Sequence, residues 1–220
     1  MKLKVIIFGA TGMVGEGVMH ECLLDADITE VMVINRRAGG VQHPKLKEII
    51  HTDFLNFIGI NVDFTAYQAC FFCLGVSSMG ISPGEYYRLT YELTMHVAKV
   101  MANQNPEIVF CYVSGAGTDT SEKGLLSWAR VKGKTENDLM KLSFKKTYMF
   151  RPGYLSPTPD LKNTKAYYQY FNWVEPALKI FFSNQMSTLR ELGLAMINAV
   201  KKGYPKQILE VKDIKILAQA

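Results

Sequence analysis

The stretch KVIIFGATGMVGEG, residues 4–17, decides how the rest of the chain is read. Val5 to Phe8 form a short apolar run with three β-branched residues, which reads as a buried strand. Glycines follow at positions 9, 12 and 15, and MVGEGVMHECLL (13–24) takes helical spacing. A strand, a glycine turn and a helix opening on that turn place unpaired backbone N–H groups where a phosphate can sit. Glycine allows both the tight turn and close approach to a pyrophosphate. Gly9, Thr11, Gly12, Met13, Val14 and Gly15 are therefore the expected phosphate-binding residues. A glycine turn that serves only the fold is the alternative reading of the same pattern.

The alternation continues along the chain. EVMVIN (30–35), LKEIIH (46–51), ACFFCLG (69–75), EIVFCYVS (107–114) and KTYMFRPG (146–153) read as five more strands. Helices are expected from the capping pattern Ser82-Pro-Gly-Glu85 to about Asn103, from Ser127 to about Leu142, and over 187–202. Near-continuous apolar strands alternating with helices predict an α/β fold: a Rossmann-type doubly wound parallel sheet with helices on both faces. Residues 1–220 are expected to form a single dinucleotide-binding domain. Residues 154–186, rich in Pro, Asn and aromatics, read as a small C-terminal insertion or cap. Within it YYQYFNW (167–173) puts five aromatics into seven residues, either to cover core or to meet a protein partner. The segment QILEVKDIKIL (207–217) reads as a short closing tail.

Composition narrows the function classes. The chain has 220 residues, 48% hydrophobic and 20% charged, enough apolar material for a full core. The net charge of +5 is spread out, so solvated helix ends explain the basic clusters better than a nucleic-acid surface. No apolar run of membrane-spanning length occurs, and the N-terminal run leads into the glycine turn rather than a cleavage site. Four cysteines fit a reducing compartment, and a cytoplasmic location is expected. In a strand, Cys70 and Cys73 face opposite ways, which argues against a metal site or disulfide there.

The end of the second strand bears on the cofactor. Sites for NAD(H) usually place a carboxylate there to accept from the ribose 2′-hydroxyl. This chain has Asn35, Arg36 and Arg37. Guanidinium forks match the oxygens of a 2′-phosphate. NADP(H) is thus the preferred cofactor, with NAD(H) as the second candidate.

Taken together, GATGMVG (9–15), NRR (35–37), TDF (52–54), FFCLG (71–75), YVSGAG (112–117), VKGKTE (131–136) and RPG (151–153) resemble the short-chain dehydrogenase/reductase superfamily. The likeness is to its atypical or extended, NmrA-like NAD(P)H-binding group and covers roughly residues 3–153. The resemblance implies that Asp53 and Phe54 flank the adenine, Leu74 and Gly75 line the cofactor, and Pro152 and Gly153 border the nicotinamide. It also implies a catalytic Tyr-x-x-x-Lys pair with a serine after the fifth strand. Lys132 and Ser114 match those positions and are the candidate catalytic residues. Lys132 would bind the nicotinamide ribose as well. The tyrosine position holds Trp128, whose indole donates a hydrogen bond but does not titrate near neutral pH.

Three functions follow as expectations. One is an NADPH-dependent oxidoreductase acting on a conjugated acceptor without the usual tyrosine. Another is a non-catalytic NADP(H)-binding regulator or assembly factor. The least favoured is a nucleoside-diphosphate-sugar epimerase or dehydratase, which needs the tyrosine. The chain is expected to be a monomer or homodimer, with a small-molecule substrate or protein partner, no metal, no nucleic acid and no membrane.

Overall fold

Strands with both faces apolar must be covered on both sides, and the structure does so for the inner strands of its sheet. It is a computed structural model and describes residues 2–57, 60, 62–156, 158, 161–164 and 185–220. Strands β1 (Leu3–Phe8), β2 (Ile28–Asn35), β3 (Leu46–Ile50), β4 (Ala69–Phe72), β5 (Val109–Val113), β6 (Lys146–Arg151) and β9 (Ile208–Glu210) form one sheet. Its order is β3-β2-β1-β4-β5-β6-β9, and every pairing is parallel. A separate parallel pair joins β7 (Tyr154–Ser156) to β8 (Met186–Thr188).

The period of two along each strand sends alternate residues to different cores. Val5 and Ile7 of β1, with Phe71 and Phe150, face helices α1 (Met13–Leu24), α5 (Leu189–Lys202) and α6 (Val211–Ala218). Ile6 and Phe8, with Cys70 and Phe72, face α3 (Leu93–Gln104) and the end of α4 (Ser127–Leu139). Cys70 thus lies in one core while Cys73 packs against the other, and all four cysteines are free. Among the described residues no helix is long and apolar enough to cross a membrane, and no acidic, Cys or His cluster could hold a metal ion.

Three local readings differ from the sequence expectation. The helix expected from Ser82 is interrupted. The Ser82 hydroxyl does accept from the Glu85 amide at 3.2 Å. However, α2 (Pro83–Tyr87) passes through a π-helical turn at Arg88–Glu92 before α3 begins. The tail is not a loop: β9 extends the sheet beside β6, and α6 follows it. A three-residue strand is too short to carry a period, so only its distant partner reveals it. The fourth strand ends at Phe72, because Cys73 to Gly75 leave the sheet. Most of the expected cap, including the aromatic segment 167–173, lies outside the described residues.

The glycine turn fixes where α1 meets the sheet. Gly9 has φ +85°, and a Cβ on it would lie 2.9 Å from the backbone of Cys73 and Leu74. A Cβ on Gly15 would lie 2.1 Å from the Gly9 carbonyl oxygen, closer than any real contact. At Gly12 the same atom would meet that oxygen at an ordinary 3.5 Å. Gly15→Ala is therefore expected to lose about 3 kcal/mol or more of stability, while Gly12→Ala stays within about 1 kcal/mol of the parent. Urea unfolding reads the difference, and equal midpoints would show that the Gly9–Gly15 approach is not required.

Candidate functional site

Because the strand order reverses direction about β1, a crevice opens between the carboxyl ends of β1 and β4. One lobe, about 450 Å³, is lined by Gly9, Thr11, Gly12, Arg36, Arg37, Cys73, Leu74 and Gly75. A second lobe, about 470 Å³, shares Cys73, Leu74 and Gly75 and runs on to Val14, Ser114, Gly115, Trp128, Lys132, Pro152 and Gly153. The crevice is thus long and two-ended, joined at the end of β4.

The first lobe gathers backbone donors and positive charge. Gly12 caps α1 without a side-chain hydrogen bond, and helical bonding begins with the Glu16 amide donating to the Gly12 carbonyl at 2.8 Å. The earlier first-turn N–H groups lack intrahelical partners and lie at the crevice mouth. The exposed Arg36 and Arg37 side chains supply positive charge at the outer end. The Glu16 carboxylate is engaged elsewhere, accepting from the Lys162 and Asn163 amides at 2.9 and 2.7 Å.

The second lobe is organised around a buried ion pair. Glu136, one turn beyond Lys132 on α4, is fully buried. Its carboxylate accepts from Arg151 Nε at 3.0 Å and Nη2 at 2.5 Å, and from Ser114 Oγ at 2.5 Å. Arg151, at the end of β6, also donates to Glu210 at the end of β9 at 3.1 Å. The pair therefore pins α4 to the ends of three strands. One turn earlier, Lys132 Nζ donates to the Ser114 carbonyl oxygen. Burial pulls its ammonium pKa down to about 8, against the upward pull of the Glu136 carboxylate. Trp128, a further turn back on the same helix face, lies against the glycine loop. Its Cη2 is 3.5 Å from where a Gly117 Cβ would be. A Cβ on Gly133 would lie 1.8 Å from the Asp119 carbonyl, so glycine is needed for loop and helix to pack.

The structure thus brings Gly9, Thr11, Val14, Gly12, Arg36, Arg37, Leu74, Gly75, Ser114, Trp128, Lys132, Pro152 and Gly153 to one crevice. Gly15 stands behind it as a packing position. Met13 packs against the core instead. Asp53 and Phe54 line neither lobe. Phe54 is buried edge-on against Phe8, with ring centres 5.9 Å apart, and Asp53 accepts from the Leu55 amide at 3.0 Å. The sequence placed Asn35 beside the arginines, but its side chain turns away and donates to Glu48 on β3 at 2.8 Å. Glu48 also accepts from the Gly39 amide at 2.9 Å and so holds the arginine loop. Sequence reasoning missed this carboxylate because β3 and β2 meet only in the folded sheet. Ser114 reaches the crevice wall, yet its hydroxyl is committed to Glu136.

Comparisons with known proteins place this geometry in context. No family model matches the chain. A protein of Emericella nidulans named fmp52, mitochondrial, is 27% identical over 159 residues, covering 70% of this chain and 67% of that protein. The corresponding protein of Meyerozyma guilliermondii is 25% identical over 160 residues, covering 70% of this chain and 65% of that protein. The chain thus spans about two thirds of the length of these relatives. Their mitochondrial names overturn the cytoplasmic location expected from the sequence. Free cysteines indicate a reducing environment, which does not distinguish one reducing compartment from another.

Among solved structures, Bordetella bronchiseptica WbmF in complex with NAD+ and UDP superposes with a TM-score of 0.69 at 12% identity, covering 96% of this chain and 72% of that one. A short chain dehydrogenase family protein from Francisella tularensis gives 0.67 at 16% identity, covering 96% of both. UDP-glucuronic acid 4-epimerase from Bacillus cereus in complex with NAD gives 0.67 at 12% identity, covering 95% of this chain and 76% of that one. These likenesses establish the Rossmann-type fold.

The ion pair itself is testable. Arg151→Met leaves a fully buried carboxylate without its partner and is expected to cost about 3–5 kcal/mol. Adding Glu136→Gln should recover part of that loss. A double-mutant cycle in urea measures it, and additive effects would show that the two side chains do not act as a unit.

Proposed function

We propose that the chain is an NADP(H)-dependent reductase of the short-chain dehydrogenase/reductase type that acts on a conjugated acceptor such as a quinone or flavin. The observation that carries this reading is the crevice itself. One end holds two arginines and a glycine turn, and the other holds Lys132 with Trp128 one helical turn away.

The residues present fit the dinucleotide. Gly9 and Gly12 leave the turn without side chains, and the α1 amides suit a pyrophosphate. Arg36 and Arg37 suit the 2′-phosphate. Glu48 is turned to Asn35 and Gly39 and leaves the arginines as the charged groups lining that lobe. Lys132 would hold the nicotinamide ribose. When bound, the reduced nicotinamide supplies a hydride. Trp128 offers the acceptor a flat apolar face and one N–H donor, but it cannot exchange a proton. An acceptor whose conjugated system absorbs a hydride suits such a wall better than an isolated ketone. For the same reason the epimerase reading is the weakest, since its proton transfers need a titrating group at position 128.

A second reading is a non-catalytic NADP(H)-binding regulator. It is favoured by Ser114, whose hydroxyl is bound to Glu136 and so is not offered to a substrate.

Purified protein is expected to oxidise NADPH with quinone or flavin acceptors and to ignore simple ketones. Tight NADPH binding with no turnover across such a panel would favour the regulator instead. Trp128→Tyr is expected to create measurable carbonyl reduction. In fluorescence titrations, Arg36→Asp with Arg37→Ala should weaken NADPH binding roughly 10- to 100-fold, as expected for lost charge-assisted hydrogen bonds, and leave NADH nearly unchanged. Equal losses for both cofactors would remove the case for NADP(H).

A further inference from the structure

A reductase of this kind still has to neutralise the charge that a hydride leaves on its acceptor, and the second lobe offers few groups for that task. Among its described lining residues, only Cys73 and Lys132 titrate. Burial pushes the Cys73 thiol up to about 12, so it holds its proton at neutral pH. The Ser114 hydroxyl is spent on Glu136, and the Trp128 indole does not exchange its proton in this range. Lys132 differs from all of these. It lines the lobe, and its ammonium makes one hydrogen bond among the described residues, to the Ser114 carbonyl. Two of its three N–H bonds are left for the crevice.

We propose that Lys132 is the general acid of this crevice and gives a proton directly to the oxygen of a conjugated carbonyl acceptor. The proposal rests on the reductase reading above. The step balances without a further reagent. When bound, the reduced nicotinamide would supply a hydride, so the acceptor would gain two electrons and carry negative charge on its oxygen. A Lys132 N–H bond breaks with its electron pair left on nitrogen, and an O–H bond forms. The neutral amine then takes a proton from water, which reaches it because the side chain is only partly buried.

The surroundings of Lys132 favour the exchange. On its own helix, Glu136 lies one turn on, but Arg151 from β6 and Ser114 from β5 already satisfy that carboxylate. Glu210 of β9 is held by the same arginine. From β4 the facing group is the protonated Cys73, and from the loop after β5 it is the backbone of Gly115 and Ala116. Asp119 is occupied by the amides of Ser121 and Gly124 at 3.0 and 2.6 Å. No free carboxylate among these groups holds the ammonium charged, which is why burial prevails and its pKa falls to about 8. A phenol-type oxygen has a pKa of about 10, so transfer from this ammonium runs downhill.

Two measurements test the assignment. The first needs no turnover: NMR titration of lysine labelled with carbon-13 at Cε, with Lys132→Arg identifying the resonance. A midpoint near 8 is expected, and the ordinary value of about 10.4 would overturn the proposal. The second is the pH profile with 1,2-naphthoquinone as acceptor. The donor is the charged form, so kcat should be flat below about 8 and fall tenfold per pH unit above it. Lys132→Arg keeps the charge but cannot titrate here. It should lower kcat by about 10²–10⁴ and abolish the alkaline break. An active Lys132→Arg with the parent's profile would overturn the lysine role and leave the reductase reading standing. A parent protein with no turnover on any quinone or flavin would overturn both.

Discussion

The contact between Gly9 and Gly15 is the constraint from which the rest of the molecule follows. With no side chain at position 15, the first turn of α1 lies directly against the carbonyl of Gly9, the residue that follows β1. Gly9 in turn adopts a left-handed backbone and lies against the end of β4. Strand, helix and neighbouring strand are thereby locked at one point. The helix amides face the gap where the sheet order reverses, and Cys73 to Gly75 form the bridge between the two lobes. A side chain at position 15 would separate helix from strand and force the glycine turn open.

At the other end of the crevice a buried ion pair does the equivalent work. Glu136 and Arg151 would each be costly to bury alone, and together they satisfy one another with Ser114 and Glu210. This ties α4 to β5, β6 and β9 and fixes the height of Lys132 and Trp128 over the strand ends. It also explains two features of the lobe. The Ser114 hydroxyl is drawn to Glu136, and Lys132 is left without a free carboxylate to hold its charge. The chemistry available there is therefore that of a half-buried lysine beside an indole.

Much of this was legible from local pattern. The glycine turn, the six longer strands and the arginine pair are each specified by neighbours within about fifteen residues. The features that escaped were non-local. Strand β9 is three residues long and exists because β6 accepts it, its partners lying 59 residues earlier in sequence. The Glu48 contact with Asn35 depends on the pairing of β2 with β3. Phe54 reads as a candidate for the adenine, yet its ring finds Phe8 and Phe57 in the core.

By itself, the sequence determined the α/β alternation and the place of the glycine turn between the first strand and the first helix. Periodicity and glycine spacing are short-range properties, and a chain carries them unfolded. Only the tertiary structure decided which polar groups face the crevice, which pair with each other, and how far Lys132 is buried. Those outcomes depend on desolvation and on hydrogen bonds between segments remote in sequence, and neither exists until the sheet has closed.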